Sequence, residues 1–502
     1  MSDFGITRRS FRIEKLTRLA SWKSDIYPPE VWEHIFSYLT GLQLLRMRLI
    51  CRRWRDIITG CPSLMRKLRI RLDNRELNSA IDGSYNPTGL PPVADLIIQD
   101  YLIIGVGSWW PRVGQKLTHL TLSGGTAEIS LLFGMLQQTS NLRSLQIREF
   151  CLLGTANPNV QLNRLQELKL DHVIYPIYHF NKNYTNLLDI FDKIFPRVKD
   201  LRIRKIWKED FSVDRLLPSI RALAGTLEAL EVDDAAVNVL RDLPELTRLR
   251  RISLHIEPRF SWDKWARFFR TQRLIEDLVI YTDELSDTKV LRDIGRAVPN
   301  LKRLTLHVVD EIDTEFLQFM PKLEYFDLRG DLYHNVGLYR MGSPRIKELH
   351  LRDVDVSGFW RYLNRSPQLE SIVLICCSPN DGVATAKVFK NVRFLEISLQ
   401  SIVSDDMLKA LFRKCPLLET LIYGCDEDTC NDSVVLLACK RLKHLRKLSL
   451  LYCPVSDGCV EHIVRHGLAL EEVRFSRNKL SEGAVERLRA TRNIRVVVDK
   501  DE

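Results

Sequence analysis

A six-residue pattern recurs through most of this 502-residue chain and constrains its fold more than any other feature. The pattern is an apolar residue, two variable residues, an apolar residue, one variable residue and a further apolar residue. It occurs at 15 places, and most successive starts lie 22 to 27 residues apart, with longer gaps after Leu165 and Val198. The starts are Leu117, Leu142, Leu165, Val198, Leu227, Leu249, Ile275, Leu301, Leu323, Ile346, Leu369, Val392, Leu418, Leu445 and Leu470. Self-similarity at such a period predicts an array of stacked repeats.

The alternating end of each pattern predicts a short strand, with residues such as Leu304 and Leu306 pointing inward. A proline two residues before several patterns, such as Pro299, ends the preceding helix. Connections such as residues 405–412, which place Met407, Leu408 and Leu411 on one face, predict helices. A strand and a helix cannot bury their apolar sides alone, so the units must stack. The fold class is therefore an α/β repeat, a leucine-rich-repeat solenoid with a curved parallel sheet on its concave face and helices on its convex face.

Residues 26–60 precede this array and have a different pattern, which predicts three short helices. Pro28 and Pro29 favour a first helical turn. The apolar stripes of the three helices are Val31, Ile35, Phe36 and Leu39; Leu42, Leu45 and Leu49; and Cys51, Trp54 and Ile58. A segment below about 40 residues rarely buries enough surface to fold alone. We therefore expect it to leave an apolar patch that a partner covers.

This segment resembles the F-box, the motif that docks onto the Skp adaptor of cullin-based ubiquitin ligases. The matching residues are Pro28, Glu30, Val31, Ile35, Phe36, Ser37, Leu39, Leu44, Leu45, Arg48, Leu49, Cys51, Arg53 and Trp54. The departures are Tyr27 in place of the usual Leu, Trp32 in place of a common Leu, and Gln43 in place of a common acid. The resemblance implies an adaptor-binding surface formed by Pro28, Ile35, Phe36, Leu39, Leu45 and Trp54. An ordinary helical cap on the repeats is the alternative.

The expected domains are a basic leader at 1–24, the F-box at 25–66, an atypical first repeat and linker at 67–116, and the solenoid at 117–502. The solenoid holds about 15 repeats and a short C-terminal cap, in which Ile494, Val496 and Val498 form a closing strand. Met65, Leu68 and Ile70 give a first hint of the repeat inside the linker.

The net charge of +10 is concentrated near the amino terminus. Residues 1–75 hold 16 Lys and Arg against 7 Asp and Glu, and the remainder holds 58 against 57. Composition therefore does not predict a basic groove in the repeats, and we do not expect nucleic acid as a partner. No apolar run approaches the ~18 residues of a membrane span, so no membrane partner is expected. Eleven cysteines without a paired C-x-x-C favour free thiols over disulfides or zinc.

The variable strand positions face the concave side and are the candidate target-binding surface; the alternative is a solvated face of the solenoid that binds nothing. The predicted target-binding residues are Tyr281, His307, Tyr325, Arg329, His350, Arg352 and Phe394. Tyr, Arg and His beside apolar residues are typical of protein-binding surfaces. Aromatic clusters at 171–184 and 258–269 are further candidates, although such clusters more often line a core. No catalytic motif, cofactor motif or metal spacing is present, so we expect no enzyme, no cofactor and no metal.

The resemblance implies a substrate-recognition subunit of a Skp-cullin-F-box ubiquitin ligase, with the Skp adaptor, a cullin scaffold and a protein substrate as partners. A ligase-independent repeat scaffold for protein interactions is the alternative. A nucleic-acid-binding role of the basic leader comes third. The absence of a secretion signal favours a cytoplasmic or nuclear location.

Overall fold

The computed structural model divides the chain into two compact units, residues 1–239 and 240–502. It describes residues 27–73, 80–82, 84–85, 93–154, 160–173, 191–204, 213–232, 243, 245–256, 262–282, 288–308, 312–338, 345–379, 388–398, 405–424, 432–453, 455–476, 480–491 and 494–499. The domain boundaries expected at residues 24, 66 and 116 stay predictions, because a division at residue 239 does not test them.

Unit 1 opens with short helices: α1 (Pro29–Ser37), α2 (Gly41–Met47), α3 (Arg52–Gly60) and α4 (Pro62–Met65). The three helices predicted within residues 26–60 are thus confirmed, and Pro28 occupies the N-cap of α1. Thr40 begins α2 through a capping box, in which its backbone N–H donates to Gln43 Oε1 at 2.9 Å. Gln43, which departs from the F-box pattern, thereby has a local structural role.

A parallel sheet follows in unit 1, with a smaller parallel sheet beside it. The larger sheet contains β1 (Arg69–Asp73), β3 (Asp95–Gln99), β5 (His119–Ser123), β7 (Ser144–Arg148), β9 (Glu167–Asp171), β10 (Asp200–Arg204) and β11 (Ala229–Val232). The smaller contains β2 (Ala80–Ile81), β4 (Leu102–Ile103), β6 (Thr126–Glu128) and β8 (Cys151–Leu153). The helices between strands are α5 (Trp109–Gly114), α6 (Ile129–Gln137), α7 (Phe191–Ile194) and α8 (Val213–Ala222).

Unit 2 continues the same plan of parallel strands in chain order. Its strands are β12 (Arg251–Ile256), β13 (Asp277–Thr282), β14 (Arg303–Val308), β15 (Ile312–Asp313), β16 (Tyr325–Gly337), β17 (Glu348–Ser357), β18 (Ser371–Ile375), β19 (Ser378–Pro379), β20 (Phe394–Ser398), β21 (Thr420–Gly424), β22 (Lys447–Leu451), β23 (Glu472–Ser476) and β24 (Arg495–Asp499). Its helices are α9 (Trp262–Thr271), α10 (Thr288–Ala297), a 3₁₀ helix (Thr314–Phe319), α11 (Phe359–Arg365), α12 (Asp405–Lys414), α13 (Asp432–Arg441), α14 (Gly458–His466) and α15 (Glu482–Thr491).

All 15 predicted repeat starts precede a strand by two residues, so the leucine-rich-repeat prediction is confirmed. In β14 the inward Leu304 and Leu306 are fully buried, while Thr305 and His307 on the other face are half-buried. The predicted closing strand is β24. The repeat pattern expected at Met65, Leu68 and Ile70 is in the wrong register. In the structure Ile70 pairs with Leu96 of β3, and the inward positions of β1 are Ile70 and Leu72.

Backbone hydrogen bonds fix the register at both ends of a strand. Before β14, the Glu276 carbonyl accepts from two successive N–H groups, Lys302 at 2.8 Å and Arg303 at 2.9 Å. After several strands, one residue with positive φ donates its N–H to the last residue of the next main strand. These residues are Asp100, Gly124, Glu149, His172, Cys376 and Tyr452, which donate to Ser123, Arg148, Asp171, Arg204, Ser398 and Ser476. Backbone hydrogen bonds thus contribute to the alignment of neighbouring repeats, whatever side chains the repeats carry.

Candidate interaction surfaces

The helical segment that opens unit 1 has a small interior. Phe36, Leu44 and Ile58 are each at most 1% exposed. Trp32 packs beside them, with ring centroids 4.8 Å from Trp54 and 5.6 Å from Phe36. Trp32, which replaces a common leucine of the F-box pattern, thus fills the space between α1 and α3. This interior occupies only one side of each short helix.

Six large apolar side chains of this segment remain exposed, and we call them the apolar set. They are Tyr27 (49% exposed), Val31 (38%), Ile35 (43%), Tyr38 (77%), Leu42 (62%) and Leu49 (82%). They are half of the 12 such side chains in the described part of the chain. Concentration of exposed apolar groups in so short a segment marks an interaction surface.

Arg48 lies between the interior and this surface and is only 9% exposed. Its Nε and Nη1 are closed to solvent and have no hydrogen-bond acceptor among the described residues. Burial, together with the charge of Arg55, lowers the pKa of the Arg48 guanidinium. A buried guanidinium without an acceptor is costly, so the segment retains a polar group that its own fold does not satisfy.

In unit 2 the strand positions that are not buried form the open face of the sheet. Register places Tyr281, His307, Arg329, Arg352 and Ile375 in one row across β13, β14, β16, β17 and β18. The Tyr281 and His307 rings stack with centroids 4.1 Å apart. The row of predicted target-binding residues is therefore continuous in the structure.

A polar network joins the neighbouring rows around Asp327, which is fully buried. Arg329 donates from Nε at 3.0 Å and from Nη2 at 2.7 Å to Asp327 Oδ2. Arg352 Nε lies 3.7 Å from Asp327 Oδ1. The Tyr325 hydroxyl lies 3.3 Å from Asp327 Oδ2 and 3.3 Å from His350 Nδ1. A buried carboxylate thus holds the side chains above it in place.

The titration of the network follows from this burial. The hydrogen bonds to Asp327 raise the pKa of the Arg329 guanidinium. Burial, with the neighbouring Asp327 charge, raises the pKa of Tyr325 to about 12. Burial lowers the pKa of His350, against the opposing effect of Asp327. Around neutral pH the face therefore presents charged arginines beside a neutral phenol and a largely neutral imidazole.

Phe394 lies apart from this network. It is half-buried. Its register partner on β18 is Ser371, which in turn pairs with Glu348 on β17, so Phe394 lies two strands away from β17. On the same face, Thr420 of β21 is its register partner and Glu396 follows it on β20, whereas Ile375 pairs with Ser398, four residues further along β20. The structure thus brings six of the seven predicted residues together and places the seventh apart from them.

The structure describes only part of the two aromatic clusters that were candidates at 171–184 and 258–269. Trp265, Phe268 and Phe269 are at most 2% exposed and belong to the core. The side chains of Phe260 and Trp262, and residues 174–184, lie outside the described residues. No described helix has the length and apolarity needed to cross a membrane.

One known family matches the helical segment that carries the apolar set. Residues 28–71 match the F-box-like family model. The matched region spans α1 to α4 and most of β1. The apolar set, apart from Tyr27, lies within this F-box-like region.

Solved structures of repeat proteins also align with the chain. The TLR13–ssRNA13 complex matches at 15% identity and a TM-score of 0.45, covering 88% of this chain and 57% of the TLR13 chain. An internalin, InlF of Listeria monocytogenes, matches at 13% identity and a TM-score of 0.32, covering 81% of this chain and 86% of its own. This chain thus spans little more than half of the TLR13 chain. Comparison with curated proteins finds no significant match.

The predicted adaptor-binding residues of the F-box-like region occupy different depths. Pro28 and Ile35 are exposed, and Leu39, Leu45 and Trp54 are half-buried. Phe36 is 1% exposed and packs against Trp32 and Trp54. Its part in forming an adaptor-binding surface stays a prediction, as it does for the other five residues.

Sequence reasoning left several prominent surface residues out of the predicted sites. Leu42 and Leu49 carry the largest exposed apolar area of α2 and the turn after it, yet the i, i+3, i+7 stripe to which they belong is typical of a buried face. Asp327 organises the open face but looked like an ordinary variable position. Its burial becomes visible only when the register brings Arg329 and Arg352 beside it.

Proposed function

We propose that this protein is the substrate-recognition subunit of a Skp-cullin-F-box ubiquitin ligase. The F-box-like region docks on the Skp adaptor, which connects it to a cullin scaffold, and the repeats bind a protein target for ubiquitination. The observation that carries the proposal is the apolar set, because it lies where the F-box-like match predicts a docking surface.

The proposed role requires no catalytic residue in this chain. Ubiquitin transfer is performed by a conjugating enzyme, and the receptor raises the effective concentration of a target lysine near it. Such a protein is expected in the cytoplasm or the nucleus.

The test is co-purification of the full chain with a Skp adaptor, followed by titration calorimetry. Wild type should form a stoichiometric complex that recruits cullin. Leu49→Asp should weaken adaptor binding by ~10-fold or more, since it places a charge in an apolar interface. Leu468→Asp is the matched control, because Leu468 is 70% exposed and lies far along the sequence in unit 2.

Two outcomes would overturn the proposal. The first is a wild-type chain that binds no Skp adaptor. The second is adaptor binding that Leu49→Asp, Leu42→Asp and their combination leave unchanged. A target that is captured by the repeats without adaptor or cullin would instead favour the ligase-independent scaffold.

A further inference from the structure

We infer that one rim of unit 2 binds an acidic segment of another protein, in which Asp or Glu residues lie between apolar residues. The rim lies where β20, β21, β22 and β23 begin, and we call it the basic rim. It carries six solvent-accessible cations, with an exposed Val388 and an exposed Leu468 beside them. The cations are Lys390, Arg413, Lys414, Lys440, Arg441 and Lys443. The inference does not depend on the proposed function.

Positive charge concentrates just before the strands of unit 2. The relevant stretches have seven residues each and end one position after a pattern start, as residues 440–446 do for Leu445. The ten stretches for the starts from Leu249 to Leu470 hold 20 Lys and Arg against six Asp and Glu. Three consecutive stretches, 387–393, 413–419 and 440–446, hold nine against one. The nearly neutral composition of the repeats thus conceals a local excess of positive charge.

The structure brings these stretches together on one rim. Strands β20 to β23 pair in chain order and in parallel, so the residues that precede them lie at the same end of the sheet. Glu419, Arg446 and Glu471 each donate their N–H to the equivalent carbonyl one repeat earlier, at 2.8 Å. Phe389 donates its N–H to the Lys414 carbonyl at 2.7 Å. Equal offsets from the strands then give two rows: Val388, Lys414, Arg441 and His466, and Lys390, Pro416, Lys443 and Leu468.

The carboxylates near the rim are already paired with other cations. The pairs are Arg393 with Glu419, Arg446 with Glu471 at 3.7 Å, and Arg465 with Glu461 at 3.8 Å. None of the six rim cations forms an ion pair with an acid in the described part of the chain. Partial burial, and then the charges of Lys440 and Arg465, lower the pKa of His466. Cations of two successive helices therefore act on one point of the rim.

Cations at helix ends also offset the helix dipole, but this explains only part of the charge. The C-terminus of a helix carries about half a negative charge. α9 and α10 each end with a single cation, whereas α12 ends with Arg413 and Lys414, and α13 with Lys440 and Arg441. Lys443 lies two residues beyond the end of α13. Most of the positive charge is therefore available to a partner.

Two exposed apolar side chains indicate that this partner is a protein. Val388 is 49% exposed and Leu468 is 70% exposed. The described residues of 388–393, 413–419, 440–446 and 465–471 include no exposed Phe, Tyr or Trp, since Phe389 is buried. Bases of single-stranded nucleic acid bind by stacking on such side chains. A peptide segment can instead place carboxylates on the cations and apolar side chains on Val388 and Leu468.

The dimensions of the rim set the spacing within the ligand. Three repeat steps lead from the stretch of Val388 to that of Leu468. Neighbouring strands lie about 4.8 Å apart and packed helices about 8–10 Å, so the steps cover about 15–30 Å. An extended chain covers this distance with about five to nine residues. The ligand should therefore hold its acids between two apolar residues at about that separation.

The experiment is selection of a displayed library of random 12-residue peptides on the purified full chain at physiological salt. Enriched peptides should carry several Asp or Glu between apolar residues. Each is then measured by fluorescence polarisation beside a counterpart with Asn or Gln in place of the acids. Affinity should fall ~10-fold or more without the acids and should weaken with added salt. Duplex DNA and anionic vesicles, at equal concentration of charge, should not displace a bound peptide.

The protein variants test the two parts of the rim separately. Arg441→Gln with Lys443→Gln should lose peptide binding ~10-fold or more. The matched control, Lys447→Gln with Arg474→Gln, removes the same charge from the open face of β22 and β23 and should retain binding. Leu468→Ser should weaken binding ~3-fold or more, whereas Leu274→Ser, at an exposed position before β13, should not.

Thermal unfolding distinguishes a binding role from a structural one. Clustered cations repel each other, so Arg441→Gln with Lys443→Gln should leave Tm unchanged or raise it at low salt. A fall in Tm together with normal peptide binding would assign the cations to the fold and overturn the inference.

The inference also fails if the selection enriches nothing, if enriched peptides lack acids, if DNA or vesicles displace them, or if the control variant loses as much binding as the rim variant. Leu49→Asp and Leu468→Asp separate it from the proposed function, because the first should lose only the adaptor and the second only the peptide. If wild type binds no Skp adaptor but enriches acidic peptides, the proposed function fails and this inference stands. If adaptor binding succeeds and the selection fails, the reverse holds.

Discussion

Arg329 and Asp327, two residues apart on β16, are joined by two hydrogen bonds to one buried carboxylate oxygen. Arg329→Met should lower the free energy of unfolding by about 2 kcal/mol, because it leaves the buried carboxylate with only the Tyr325 hydroxyl at 3.3 Å and Arg352 at 3.7 Å. Breaking a fully buried ion pair costs about 3–5 kcal/mol. The expected loss is smaller here, because the Arg329 side chain is 36% exposed. Chemical denaturation measures it.

The double variant Asp327→Leu with Arg329→Met is its control. Removing both groups eliminates the unpaired buried charge, so at least half of the lost stability should return. Equal destabilisation in the single and double variants would show that the pair has no electrostatic coupling.

Leu42 and Leu44 lie on the same helix with opposite environments, 62% exposed and fully buried. Leu44→Ala should cost about 3 kcal/mol of unfolding free energy through lost packing and cavity formation. Leu42→Ala should change it by less than about 0.5 kcal/mol. Thermal unfolding of the two variants checks the orientation of α2, and similar losses would contradict it.

Gly124 has a left-handed backbone, with φ at +64°, and an added Cβ would meet Asp100 Oδ1, the end of a side chain that can rotate away. Asp100, Glu149 and His172 hold the same backbone conformation at equivalent strand ends. Gly124→Ala should therefore destabilise the chain by only about 1 kcal/mol, the cost of a left-handed backbone for alanine. Gly134, inside α6 with nothing within 4 Å of its Cβ position, is the matched control. Gly134→Ala should stabilise the chain by about 0.5–1 kcal/mol through helix propensity. A Gly124→Ala protein as stable as wild type would contradict the predicted backbone strain.

The buried guanidinium of Arg48 should destabilise the chain when no partner is bound. Arg48→Met removes two buried guanidinium nitrogens, Nε and Nη1, that have no acceptor among the described residues, and should raise the free energy of unfolding by about 1 kcal/mol. Arg46→Met, at an exposed position two residues earlier, should have no effect. A large loss of stability in Arg48→Met would show that the guanidinium supports the fold after all.

Three buried thiols should be inert in the folded chain. Burial raises the pKa of Cys377, Cys415 and Cys439 to about 12, from an ordinary value of 9.0. At pH 8 they hold almost no thiolate, so iodoacetamide should modify them only after urea unfolding, when the pKa falls back. Peptide mass spectrometry follows each site, and rapid native labelling would contradict their burial.

The strands were predictable because burial repeats in them with a strict period. Each of the 15 patterns places two apolar residues on the covered face, and a shift of one residue would expose both. β1 lacks this redundancy, since Lys67 occupies the apolar start position, and the sequence hint therefore lay two residues away from the true register.

The surfaces were less predictable, because apolar residues in short helices serve either the interior or a partner. The stripe of Leu42, Leu45 and Leu49 has the spacing of a core face, but α2 is too short to bury both it and Leu44. On the open face the rows were predictable from the repeat. The burial of Asp327 was not, because it depends on the sizes of Tyr325, Arg329 and Arg352 around it.

The hydrogen bonds made by the positive-φ residues after the strands affect which insertions and deletions the fold can tolerate. They tie six of the described strands to the next main strand, so at these places the connections between strands contribute little to the alignment. Insertions and deletions in a connection therefore need not disturb the rows of the sheet, as the unequal spacing of the 15 repeats already illustrates. Length variation and surface specificity are thereby free to evolve separately.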